Sequence, residues 1–304
     1  MVTALLLAAL LLVPARARAD EVTAAPVPAP VRSARVEWSP TWRRFRLSEY
    51  IATPAIAALS LYVRRNLDPP VHQKWQGGNA FDDAIRDWLR ADTREGRAQA
   101  VKVSDWLSLG GSAFPYVVDL PVVLLAHRQP QVAWQLLMMD LEANAVSGLI
   151  SNFMFYAVGR GRPSTRDCAL DPTYDPLCGG LGNNASFPSG HTQTIATAAG
   201  LTCVHHHYLP IYGSPVADVG GCVLMSLATL VTATTRIIAD RHYATDILLG
   251  SVFGFGCGYG LPWLLHYRTP GDPDHLGEVA SGRRFGLVPF GGPGRLGLAV
   301  IGAL

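Results

Sequence analysis

An all-α bundle of about six core helices is what this sequence predicts, and three observations carry that reading. Long apolar segments recur at about residues 50–63, 103–126, 132–158, 192–208, 216–238 and 243–267. Most are rich in Ala, Leu, Val and Gly and lack the period-2 alternation that marks a half-buried strand. The 304 residues are 49% hydrophobic and 16% charged, against roughly 25% charged in an ordinary soluble domain. The bundle is therefore expected to be membrane-associated, with a short tail able to form a β-hairpin.

Taken in order, residues 1–19 read as an export signal. An apolar run from Ala4 to Val13 precedes Ala17-Arg18-Ala19, a small-x-small cleavage site before Asp20. That run is too short to cross a bilayer, which takes about 20 residues. Residues 20–45, rich in Ala, Pro and Val, are expected to be a linker, and 46–268 a single helical domain. A charged stretch, 81–102, reads as helical. Asp119, Asp140 and Glu142 interrupt apolar runs, so they must face the bundle interior if those runs meet lipid. In the tail, 269–304, two apolar runs flank Gly291-Gly292-Pro293-Gly294, which suits a hairpin or a loose apolar end.

Charge and cysteines narrow the partners. A net charge of +2 without a basic, aromatic-laced stripe excludes nucleic acid. Cys203, Cys222 and Cys257 lie in apolar helices and read as buried thiols. Cys168 and Cys178 flank a polar loop that a disulfide would close in an exported protein. The adjacent His205, His206 and His207 fan out by about 100° each on a helix and cannot chelate one metal together; they read as a polar helix end.

Four short runs carry chemistry. Pro188-Ser189-Gly190-His191 stands where a polar loop meets a helix. Ser189 suits the N-cap, Gly190 allows close backbone approach, and the helix start offers N–H groups to an anion. His191 is placed to protonate a leaving oxygen. His242 and Asp246 are four apart, so a helix sets them on one face and the carboxylate can orient one ring nitrogen. Arg236 precedes them by six residues, about 240° away on a continuous helix, so a break is required between the two. Asp240 is expected to cap the helix after the break. Arg162-Pro163 should end the third long helix, leaving Arg162 to reach a phosphate with its planar fork, with Arg160 and Arg166 nearby.

Together these runs resemble the type 2 phosphatidic acid phosphatase (PAP2) superfamily, which also holds class A acid phosphatases and vanadium haloperoxidases. The family pattern is Lys-x6-Arg-Pro, Pro-Ser-Gly-His and Ser-Arg-x5-His-x3-Asp. Here Arg162-Pro163, Pro188 to His191, and Thr235-Arg236-x5-His242-x3-Asp246 match it. The resemblance implies a PAP2-type bundle and a cofactor-free, metal-independent phosphatase whose pocket can also hold vanadate. By it His242 attacks phosphorus, Asp246 orients His242, and His191 serves as acid and then base. Arg162, Arg236, Ser189 and the Gly190 N–H would hold the phosphoryl oxygens.

One position departs: Phe155 stands where the family has lysine. Arg160 is a candidate for the missing charge; otherwise the site works more slowly, or the protein is a membrane relative without activity. The expected substrates are phospholipids or lipid pyrophosphates, taken by an exported protein of the inner membrane with its site facing the periplasm. A soluble periplasmic phosphatase and a haloperoxidase are the enzymatic alternatives. Six spans after a cleaved leader would turn the motif loops to the cytoplasm; five, with residues 50–63 at the interface, would turn them outward.

Overall fold

The computed structural model describes residues 35–176 and 178–268, together with the backbone strands at 284–292 and 295–303. The expected leader and the start of the expected linker lie outside the described residues. Eight α-helices follow in chain order: α1 (Leu47–Asn66), α2 (Ala80–Leu89), α3 (Arg94–Phe114), α4 (Pro130–Val158), α5 (Thr165–Leu170), α6 (Gly190–Tyr208), α7 (Pro215–Ile238) and α8 (Ala244–Phe255). α3 runs on through π-helical turns to Ala126, and α8 likewise to Tyr267. The six apolar runs thus become α1, α3, α4, α6, α7 and α8, and the fold is all-α.

Local chemistry sets several boundaries. Asn79 caps α2 through the Asp82 N–H, and Thr93 caps α3 through the Gly96 N–H. These two caps divide the charged stretch 81–102 into two helices where one was expected. α4 ends at Val158 because Gly159 turns left-handed, with φ 56°. The end therefore falls four residues before Arg162, and glycine rather than Pro163 makes it.

α6 is the axis of the bundle, packed on by α3, α4, α7 and α8, and α1 lies along α4. The α6–α8 contact rests on glycines four residues apart, which permit close backbone approach. A Cβ at Gly254 would stand 2.2 Å from the Gln193 carbonyl oxygen. One core cluster gathers Leu136, Met139, Val204 and Tyr267, and another Ile195, Ala198 and Met225. Val36 and Phe45 are buried in the first, with Trp38 and Trp42 against it, so residues 35–45 are packed chain rather than linker.

Among the described residues, three helical stretches are long and apolar enough to cross a membrane: Arg94–Ala126, Pro215–Ile238 and Ala244–Tyr267. The acids inside apolar runs do face inward. Asp140 meets His205 Nε2 at 2.9 Å, and Asp119 accepts from the Tyr212 hydroxyl at 2.6 Å. His206 Nδ1 reaches Asp218 at 2.7 Å. His205 and His206 are thus buried partners of carboxylates, not a polar helix end.

Cys168 and Cys178 form the expected disulfide. Cys203 and Cys222 also form one, joining α6 to α7, because the two helices bring their Cα atoms to 4.5 Å; the reading of two buried thiols fails. Cys257 remains a buried thiol. In the tail β1 (Arg284–Gly292) and β2 (Arg295–Ala303) pair antiparallel as a hairpin.

Candidate active site

The N-terminal ends of α6 and α8 lie side by side, and this brings distant runs together. The Ser189 N–H donates to the Asp246 carbonyl oxygen at 3.0 Å. Between α7 and α8 the chain breaks at Ala239–Tyr243, with Asp240 at φ 57°, so Arg236 and His242 escape the 240° divergence of one continuous helix. Asp240 does not cap α8. Its carboxylate instead accepts from Arg86 at 2.6 and 2.8 Å and from the Tyr174 hydroxyl at 2.9 Å.

A cavity of about 720 Å³ opens here, walled by α1, α3, α4 and α6, with Arg162, His191, His242, Gly190, Asp105 and Phe155 among its lining. His242 is 2% exposed. Its Nδ1 lies 2.7 Å from the Ser186 carbonyl oxygen, which can only accept, so Nδ1 carries the proton. Nε2 then holds a lone pair, and Arg162 Nη1 donates to it at 3.2 Å. Burial, helped by Arg162 and Arg236, holds the His242 pKa well below the usual imidazole range, so the ring is neutral at ordinary pH.

Asp246 is not the direct partner of His242. It stands 3.8 Å from Nδ1, and its oxygens are taken by the Ser186 hydroxyl at 2.6 Å, the Tyr243 N–H at 2.9 Å and Arg160 at 2.6 Å. The i,i+4 spacing gave the right neighbourhood, but the side chain turns toward α8's own first N–H groups and a buried guanidinium. Ser186 therefore links acid and imidazole, its hydroxyl on one and its carbonyl on the other.

Arg160 is likewise outside the cavity. It is fully buried, bonded to Asp246, Thr245, Asp82 (2.7 Å) and the Gly77 carbonyl, and sandwiched between the Trp75 and Tyr243 rings. Every direction a phosphate would need is occupied, so Arg160 cannot replace the charge absent at Phe155. Arg166 pairs with Asp83 at the surface.

Arg162 is in place. Carbonyl oxygens of Gly182, Arg241 and Ala185 hold its guanidinium at 2.9, 2.9 and 3.3 Å. Burial and the cations Arg236 and Arg241 lower its pKa to about 9, so it remains charged at neutral pH. Arg236 reaches Ser104 at 3.1 Å and Asp105 at 3.3 Å, and its Nε is buried without a partner among the described residues. Ser189 stands at the α6 N-cap, but its hydroxyl bonds Thr192 at 3.0 Å and is wholly buried. Gly190 lines the cavity, where its Cα faces the Phe155 ring: an added Cβ would meet Cζ at 3.3 Å.

His191 also lines the cavity, with Nε2 3.0 Å from Asp105. Burial and Arg236 lower its pKa to about 4, against the pull of Asp105. Asp105 and Ser186 were absent from the residues expected at the site. A carboxylate opening the apolar run 103–126 was the available signal for Asp105. A carbonyl partner such as that of Ser186 leaves no sequence signal at all.

Residues 137–270 match the family model of the PAP2 superfamily. The lipid A 1-phosphatase of Porphyromonas gingivalis is 29% identical over 159 residues, covering 51% of this chain and 30% of that protein. The shared region thus spans less than a third of that relative's length. No solved structure matches the chain at comparable stringency. Arg162, His191 and His242 converge on one cavity inside the matched region, and it is over residues 137–270 that the chain is similar to the PAP2 superfamily.

Proposed function

We propose that this protein is a phosphatase of lipid phosphate esters or pyrophosphates that works through a phosphohistidine on His242. One observation carries the reading: the Ser186 carbonyl holds the Nδ1 proton, so the lone pair of His242 is on Nε2, at the cavity, where it accepts from Arg162 until an arriving phosphoryl group draws that guanidinium to its own oxygens.

In the first step Nε2 attacks phosphorus, the P–N bond forms, and the bond to the leaving oxygen breaks. His191 gives that oxygen its proton. In the second, water attacks the phosphohistidine, His191 takes a proton from the water, and the P–N bond breaks to release phosphate. Arg162 neutralises charge on the equatorial oxygens, with Gly190 N–H at the start of α6 beside it. Free His191 is mostly neutral at pH 7, since its pKa is about 4; an arriving phosphate dianion raises it toward the protonated form the first step needs.

The relative's being a lipid A 1-phosphatase supports a lipid substrate, as do the three helices long enough to cross a bilayer. The cavity wall runs from the polar centre along Leu67, Leu109 and Tyr156, which suits a head group with an acyl portion beside it. Two disulfides support an oxidising compartment and an outward-facing site. Detergent-purified protein offered phosphatidic acid, a polyprenyl pyrophosphate and a soluble aryl phosphate side by side tests this. Release from the lipids, with a trappable phosphoenzyme lost in His242→Ala, is expected. Turnover unchanged in that variant would refute the nucleophile, and release from the aryl phosphate alone would refute the lipid assignment.

A further inference from the structure

The catalytic cavity has an arginine in its wall to which the reaction above gives no role. Arg64, in the last turn of α1, lines it beside Leu67 and Asp68. The residue is exposed, and its guanidinium has no ion pair or hydrogen bond among the described residues. Asp68 follows the helix end at Asn66 and makes no ion pair with it. A helix-end cation complements the dipole, but Arg65 is in the same last turn, about 100° further round, and does not line the cavity. The dipole therefore does not account for a cation in the cavity wall.

The α1–α4 seam fixes where Arg64 stands. Asn152 Nδ2 donates to the Ser60 carbonyl and hydroxyl at 3.2 and 3.0 Å, and the Tyr156 hydroxyl donates to the Val63 carbonyl at 3.1 Å. The two helices thus run parallel in register, which sets Arg64 level with Phe155 and Tyr156. This wall lies outside residues 137–270 in sequence, so no motif marks it. His242, at 2% exposure, is set into the opposite part of the lining, from the break between α7 and α8. In phosphoryl transfer the attacking and leaving atoms lie roughly in line across phosphorus, so a group leaving His242 departs toward the walls that α1, α3 and α4 supply.

We propose that Arg64 receives the departing group when that group is itself a phosphate, and so makes the site selective for lipid pyrophosphates over lipid monophosphates; the inference rests on the reaction proposed above. As the P–N bond to His242 forms, the bond from phosphorus to the bridging oxygen breaks and its electron pair stays on that oxygen. Until the proton of His191 arrives, this charge spreads over the oxygens of the lipid phosphate that leaves, and the planar fork of Arg64 pairs with two of them. A lipid monophosphate has no second phosphate to offer, and Arg64 contributes nothing to its turnover.

Full-length detergent-purified protein is assayed with farnesyl pyrophosphate and farnesyl phosphate. Arg64→Gln is expected to lower kcat/KM for the pyrophosphate by about tenfold to a hundredfold and to leave the monophosphate unchanged. Arg64→Lys should restore part of the loss, and Arg65→Gln should change neither rate. A change in the fold would depress both substrates together, so equal loss on the two, or loss on neither, overturns the proposal. Should the parent release phosphate from neither, the reaction itself fails and Arg64 is judged by binding. On a His242→Ala background the calorimetric affinity ratio of the two ligands should then fall by the same factor in Arg64→Gln, and an unchanged ratio overturns the assignment.

Discussion

The Nδ1 proton of His242 goes to the Ser186 carbonyl oxygen at 2.7 Å, and Asp246, one helical turn on, stands 3.8 Å from the same nitrogen. The carboxylate acts at one remove. It accepts from the Ser186 hydroxyl and the Tyr243 N–H, which fixes the chain that carries the carbonyl, and it closes the buried Asp82–Arg160–Asp246 network.

Asp246→Asn should therefore damage stability more distinctively than it damages chemistry. Arg160 would keep Asp82 but lose half of its charge compensation in a wholly buried site. Removing one partner of a buried pair costs about 3–5 kcal/mol, and the surviving amide should place this variant near the lower end. Thermal unfolding should show the loss, while folded protein at low temperature keeps measurable turnover, unlike His242→Ala. A variant as stable as the parent and as inert as His242→Ala would mean that Asp246 acts on the ring directly.

Acidity should favour the reaction. His191 must be protonated in the first step, and its pKa of about 4 keeps it mostly neutral in the free protein. His242 must be neutral, and its own pKa lies well below the ordinary value. As pH falls from 7 toward 5 the protonated fraction of His191 rises while His242 stays neutral. kcat/KM should accordingly increase over that range. Asp105 pulls the His191 pKa upward, so Asp105→Asn should move the rising limb to still lower pH. An unchanged limb would dissociate Asp105 from the acid.

The six core helices were legible because each is a long apolar run between polar connections, and the cavity was legible where motif side chains line it. Arg162, His191 and His242 meet in one cavity as their spacing implied. The errors share a physical origin. Arg160 and Asp246 are charges that pair with each other only after a chain reversal far outside the motifs, and Asp82, the third member, is 78 residues from Arg160. Cys203 and Cys222 look like core thiols because their disulfide depends on the register of two packed helices. Residues 35–45 look like linker until Trp38 and Trp42 meet Tyr267 across the bundle.

Phe155→Lys should raise activity. The ring lines the cavity against Gly190, and Arg160, the nearest alternative cation in sequence, is sealed behind Trp75 and Tyr243. Arg162 thus meets the phosphoryl group with little help. One added contact to developing charge is worth up to about 10²–10³ in rate; a lysine in an unevolved position should give about tenfold in kcat. A fall in kcat/KM for lipid substrates, with aryl phosphate turnover unaffected, would instead assign Phe155 to the acyl portion.

His191 stands in the first turn of α6 and His242 two residues before α8, so the approach of these helices should bear on how the two imidazoles are placed, and Gly254 tests that. A Cβ there would stand 2.2 Å from the Gln193 carbonyl oxygen and 2.8 Å from the Ala196 side chain, and a backbone oxygen cannot move without its helix. Gly254→Ala should therefore separate α8 from α6 just below His191, at a cost of about 1–3 kcal/mol in stability and a larger proportional loss of turnover. Gly110→Ala is the control: a Cβ there meets nothing within 4 Å, and alanine should stabilise that helix by about 0.5–1 kcal/mol. Thermal unfolding and phosphate release measured on both variants decide the point, and equal behaviour of the two would show that the close approach of α6 and α8 does not govern the site.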